Sequence, residues 1–191
     1  VMAIDLETGS CRLVIDEQQP TWQTNSPAMR YLADHERFIW TSESSGFSHY
    51  QLRHLNGELI HQLSSGDFQA TGIEFVDEET SQMGFRGFSS PVNPYYMQYH
   101  IVGLDGSNQR RVTTLDFHHS GFQLSPDKKW LVAQYEEVNP PPSTALYSTE
   151  GKLIAKLAES DPAAAANIAE MFSFRSSDDQ HDIYGILYKP K

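Results

Sequence analysis

The sequence predicts an all-β chain: part of a β-propeller, about three four-stranded antiparallel blades, with a short linker helix and a terminal hairpin. Three observations carry this. Gly9, Gly57, Gly106 and Gly151 recur at spacings of 48, 49 and 45 residues. Each closes a short turn, in Leu6-Glu7-Thr8-Gly9, Leu55-Asn56-Gly57, Leu104-Asp105-Gly106 and Thr149-Glu150-Gly151, where acidic and amide residues suit the positive φ of tight hairpins. Each interval holds about four short strand-like runs, as a propeller blade does, and lacks the 3.6-residue periodicity that a helical repeat of this length would show.

Taken in order, Val1 to Asp5 and Cys11 to Asp16 form a hairpin around Gly9 that reads as the last two strands of a blade begun upstream. The next unit places strands at 29–32, 38–41, 49–52 and 59–63, where aromatic and branched residues alternate with polar ones between Ser/Gly/Asn/Asp turns. The third places them at 72–76, 82–85, 98–102 and 110–113, and the fourth at 122–124, 130–133, 144–147 and 153–157. Pro126 and Pro140-Pro141-Pro142 fall outside strand interiors, where a missing N–H costs no ladder hydrogen bond. The propeller segment therefore spans 1–159. The alanine-rich stretch 160–171, with Asp161 as N-cap and Pro162 in the first turn, predicts the linker helix. From 172 to 191 a new hairpin begins around Ser176-Ser177-Asp178-Asp179-Gln180, of a different design from the blades.

Composition bounds the function. The chain has 191 residues, 39% of them hydrophobic, and a formal net charge of −11, which disfavours a nucleic-acid backbone or an anionic membrane as partner. No stretch approaches the 18 or so uninterrupted apolar residues of a membrane-spanning helix. The single cysteine, Cys11, excludes an internal disulfide and a cysteine zinc site, and leaves the compartment undetermined. His118-His119 on a strand point to opposite faces and cannot both ligate one ion, so no metal and no cofactor is expected. His49, His54, His61 and His100 fall in or beside strands and read as packed or surface-paired. Trp40, Phe75, Phe85, Trp130 and Tyr147 could line a ligand pocket but read as filling the space between blades.

Several of these segments, in this order, resemble the propeller of the dipeptidyl peptidase IV family of serine peptidases, within the prolyl oligopeptidase group. Phe38-Ile39-Trp40-Thr41-Ser42-Glu43 followed by Gly46-Phe47-Ser48-His49-Tyr50 is similar to the family's strand ending in Ser-Glu before a glycine-aromatic turn. Leu63-Ser64-Ser65-Gly66-Asp67-Phe68 resembles its inter-blade link, with Phe68 in place of tryptophan. Leu104-Asp105-Gly106, Phe122-Gln123-Leu124-Ser125-Pro126-Asp127 and Pro141-Pro142-Ser143-Thr144-Ala145-Leu146 continue the likeness, and Tyr184-Gly185-Ile186-Leu187-Tyr188-Lys189-Pro190 resembles the first strands of the α/β-hydrolase domain that follows the propeller. His100 stands where the family usually has tyrosine, and Ser44-Ser45 replaces a charged turn.

The resemblance implies a noncatalytic propeller segment of a serine exopeptidase that removes dipeptides from peptide N-termini. The propeller gates access, the peptide is the substrate, and a downstream α/β-hydrolase domain is the intramolecular partner. The chemistry lies elsewhere: no Gly-x-Ser-x-Gly elbow is present, and Gly46-Phe47-Ser48-His49-Tyr50 and Gly87-Phe88-Ser89-Ser90-Pro91 lack the second glycine. No catalytic residue is therefore assigned, and the segment alone should be inactive. Glu136-Glu137 is the candidate for holding a substrate amine, since the family uses a Glu-Glu pair for that purpose. The family's pair, however, lies on a helix upstream of Val1, and Glu136-Glu137 also reads as solvated loop charge. The alternative is a peptide- or protein-binding propeller without peptidase activity. An open set of blades exposes strand edges, so marginal stability or homo-oligomerisation is expected of the isolated segment. Bacterial relatives of this kind are often exported, which implies a periplasmic or exported location and leaves the cytoplasm open.

Overall fold

The computed structural model describes residues 1–20, 22–24, 27–139, 141–161 and 169–189, and it divides into two compact units, Val1–Val112 and Thr113–Lys191. In the first, β1 (Met2–Ile4) and β2 (Cys11–Leu13) form a two-stranded hairpin. The first blade follows as a four-stranded antiparallel meander of β3 (Met29–Tyr31), β4 (Arg37–Ser42), β5 (His49–His54) and β6 (Leu59–Gln62). The second has the same order, with β7 (Gln69–Asp77), β8 (Gln82–Phe88), β9 (Met97–Gly103) and β10 (Arg110–Arg111). The second unit holds the third blade, β11 (His118–Leu124), β12 (Trp130–Glu136), β13 (Ser143–Ser148) and β14 (Leu153–Ala158), and the hairpin β15 (Ala169–Arg175) with β16 (Asp182–Tyr188). In every sheet each strand pairs with the one next to it in sequence, so the blades are built from local pairings. The fold is that of a partial propeller, all-β among the described residues.

The central strands of the first two blades carry consecutive buried residues and so are covered on both faces. Phe38, Ile39 and Trp40 of β4 are all at most 4% exposed. Ile39, Tyr50, Leu52 and Leu63 of the first blade and its outgoing link share one cluster with Met83, Phe85 and Val102 of the second. That seam joins the two blades by side-chain packing, since no strand of one pairs with a strand of the other. Burying each such side chain contributes about 1.5–3 kcal/mol.

The repeated glycines do two jobs. All four have positive φ, +70° at Gly9, +94° at Gly57, +79° at Gly106 and +84° at Gly151. In addition, a Cβ at Gly57 would run into the backbone carbonyl oxygen of Val14, just past β2, and one at Gly106 into that of Gln62, the end of β6. Each of these two turns thus seats against the outer strand of the preceding sheet, and the interval of nearly fifty residues is the repeat of that contact.

Two expectations are corrected. Of the predicted helix at 160–171, residues 162–168 lie outside the described residues, but 169–171 are strand: Ala169, Glu170 and Met171 begin β15, opposite Tyr188, Leu187 and Ile186. Pairing along the whole of 169–175 outweighs the helix propensity of two or three residues at one end. Trp130 is not core. It is 42% exposed because β12 alternates, with Leu131, Ala133 and Tyr135 turned inward, which leaves the first position facing out. Trp40, Phe85 and Tyr147 are buried as expected, at 4%, 0% and 0% exposure, and Phe75 is half-buried.

Candidate functional site

The paired carboxylates that stand out in the sequence lie in the third blade. Glu136 ends β12 in register with His118 of β11 and is half-buried; Glu137 follows the strand and is exposed. The neighbouring histidines separate as strand geometry demands. His118 is half-buried, and His119 is fully buried on the opposite face. The Phe117 carbonyl lies 3.0 Å from His119 Nδ1, so this nitrogen carries the proton, and Nε2 then accepts from the Tyr147 hydroxyl at 2.9 Å. His119 is a core hydrogen-bonding residue.

A different pair of carboxylates meets at a cavity of about 450 Å³ where the first two blades adjoin, near the start of β7. Its walls include Glu17, Arg30, Trp40, Glu43, Tyr50 and Gln69. Glu17 is fixed from both sides: Oε2 accepts from the Trp40 indole N–H at 3.1 Å and Oε1 from the Glu43 backbone N–H at 2.7 Å. Glu43 in turn accepts from the backbone of Thr24 at 3.2 Å. The Thr41 hydroxyl, also on the wall, is buried without a hydrogen-bond partner among the described residues, so a polar group reaching it from the cavity would complete its bonding. An adjoining cavity of about 310 Å³ shares Glu43 and carries the exposed rings of Trp22 and Phe47. Two carboxylates, aromatic surfaces and a free hydroxyl suit a peptide segment better than a small anion. In the sequence Glu43 stands out only as part of a motif, and Glu17 does not stand out at all. The available signal is Trp40, whose buried indole requires an acceptor.

Serine and histidine meet twice in the first unit, and neither meeting is a nucleophile. His49 donates from Nε2 to the Gly66 carbonyl at 2.8 Å and accepts at Nδ1 from the Ser64 hydroxyl at 3.1 Å, while the Tyr50 N–H donates to Ser64 Oγ at 3.0 Å. These bonds lock the link between β6 and β7, the segment that resembles the family's inter-blade motif. Ser89 Oγ lies 2.6 Å from His100 Nε2, but Nδ1 of His100 is buried with no hydrogen-bond partner among the described residues. Activation of a serine needs an acid on that second nitrogen to orient and charge the ring. His100 instead packs in an aromatic stack with Phe68 and Phe85, each centroid 5.0 Å away.

Burial, the Arg111 charge and His49, in that order, push the pKa of His100 down from 6.5 to about 4. An unfolded chain takes up this proton near 6.5 and the folded chain only near 4, so the stability contributed by neutral His100 is complete above that window and drains as pH falls through it. The expected loss is about 2–3 kcal/mol. Urea midpoints at neutral pH and near the lower limit measure it. His100→Phe, which keeps a ring in the stack, is expected to lessen the slope by that amount; an unchanged slope would show that other groups carry it. Buried His49, also shifted downward by desolvation, titrates in the same direction in both proteins.

Among the described residues no three or more His, Cys, Asp or Glu side chains come together as a metal site, and no helix is long and apolar enough to cross a membrane. Comparison with known proteins gives a family and a fold. The family model for the dipeptidyl peptidase IV N-terminal region matches residues 1–142. Dipeptidyl peptidase 4 from Porphyromonas gingivalis is similar with a TM-score of 0.68 and 14% identity, over 99% of this chain and 27% of that one. A putative dipeptidyl aminopeptidase IV from Bacteroides ovatus is similar with a TM-score of 0.74 and 18% identity, over 99% of this chain and 30% of that one. The chain thus spans less than a third of the length of either solved protein.

Proposed function

Because this chain belongs to the dipeptidyl peptidase IV N-terminal-region family, we propose that it is the noncatalytic, C-terminal part of the propeller of a serine exopeptidase that releases dipeptides from peptide N-termini. The observation that carries the reading is the family match over 1–142 followed by a hairpin, β15–β16, that belongs to none of the blade sheets. A binding propeller has no use for such a hairpin, whereas a propeller followed by a hydrolase domain needs a connection of this kind. In this reading the propeller walls off the active site, and a serine, histidine and acid supplied from beyond Lys191 perform acyl transfer on its far side. The cavity at Glu17 and Glu43 receives part of the peptide, and Glu136 with Glu137 stands as the candidate for holding the substrate amine.

The test is release of a chromogenic leaving group from a Gly-Pro dipeptide amide by the longer protein, alongside the 191-residue chain, with and without a serine-directed phosphonate. Phosphonate-sensitive release by the longer protein and none by the segment is expected. No release by the longer protein would overturn the reading in favour of a propeller that binds peptides or proteins.

A further inference from the structure

We propose that Asn139 is a positioning residue: its side chain clasps the root of the β15–β16 hairpin to the third blade and so sets the alignment of the chain that follows β16. Asn139 lies in the loop between β12 and β13. Its Oδ1 accepts from the backbone N–H of Ala169 at 2.6 Å, and its Nδ2 donates to the carbonyl of the same residue at 2.6 Å. A carboxamide carries the acceptor and donor of a peptide group in one plane. The two bonds therefore close the same kind of ring that two opposed residues of antiparallel strands make, and a side chain takes the place of a short strand against the first residue of β15.

The position of the clasp gives it leverage. Ala169 is 4% exposed, while every other residue of β15 is exposed, so burial concentrates at the hairpin's root. Ser143, where the same loop enters β13, also holds the chain where it leaves β14: the Ser160 N–H donates to Ser143 Oγ at 2.9 Å, and the two hydroxyls lie 3.2 Å apart. One loop thus pins both ends of the connection between the last blade strand and the hairpin, at Ser160 and at Ala169. Three prolines follow Asn139 in the sequence, and proline restricts both its own backbone and that of the residue before it. The direction of the hairpin is set by side-chain clasps on a stiffened loop.

The kinetic consequence rests on the peptidase reading above; the clasp itself rests on geometry alone. In the longer protein, Asn139→Ala removes both bonds, and Asn139→Asp keeps the acceptor but turns an oxygen toward the Ala169 carbonyl. Both variants are expected to raise amide exchange at Ala169 about tenfold or more and to lower kcat/KM for the Gly-Pro amide about fivefold to tenfold through misalignment. Labelling by a small fluorophosphonate, which needs only the serine and its immediate surroundings, should stay within about twofold of the unaltered protein. Unchanged exchange at Ala169 would overturn the clasp. Increased exchange with unchanged kcat/KM would overturn the positioning role, and so would a parallel fall in peptide turnover and fluorophosphonate labelling, which marks general loss of structure. If the unaltered protein cleaves no Gly-Pro amide, the peptidase reading fails, and exchange at Ala169 still decides the clasp.

Discussion

Replacing Phe85 by alanine is expected to lower the unfolding free energy by about 3–5 kcal/mol, the upper range for emptying a buried aromatic site. Phe85 is 0% exposed and stands where three segments converge. Tyr50 of the first blade meets it edge-on at 5.6 Å, Phe68 of the inter-blade link stacks at 6.5 Å, and His100 of its own blade stacks at 5.0 Å. Its loss removes contacts on every side of the seam, and two of the neighbouring rings, Tyr50 and His100, are held by strand pairing that limits collapse into the gap. Against a typical total of about 5–15 kcal/mol, such a loss unfolds much of a marginal chain. Urea denaturation followed by tryptophan fluorescence measures it. A change below about 1 kcal/mol would show that the blades are held together elsewhere.

Gly106→Ala is expected to cost about 2–4 kcal/mol, the sum of a left-handed backbone penalty and a collision that no side-chain rotation relieves. The φ there is +79°, and the new methyl would meet the carbonyl oxygen of Gln62. Gly9→Ala supplies the comparison, because Gly9 has a φ of +70° and a methyl added there would find no atom of the described residues within 4 Å. That variant should lose only about 1–2 kcal/mol. Equal losses at the two sites would mean that the turn conformation, and not its seat on the preceding blade, is what the glycine repeat serves.

Much of the fold is legible in the sequence because propeller blades are made of local pairings. The strand expected at 38–41 extends to Arg37–Ser42 and the one at 130–133 to Trp130–Glu136, but each predicted blade strand has its counterpart. The limits are instructive. The alanine-rich run into 169–171 suggests a helix end because propensity is read residue by residue, whereas β15 gains its pairing from β16, more than ten residues away at the strand's start. The size of Trp130 suggests core, although its strand turns it outward. The site is less legible. Glu17 lies in the chain between the opening hairpin and the first blade, and nothing local marks it; it becomes a wall of the cavity only when Trp40 and Glu43, more than twenty residues later, fold against it.

By itself, then, the sequence determined the repeat, the blade order and the family, because glycine turns and alternating strands are written within a few residues of one another. Tertiary structure decided which carboxylates share a cavity, that Ser89 and His100 meet without an orienting acid, and that Asn139 reaches Ala169 across 30 positions. Those contacts join segments distant in the chain, and their partners are chosen by how the strands and loops pack, which no local pattern of residues encodes.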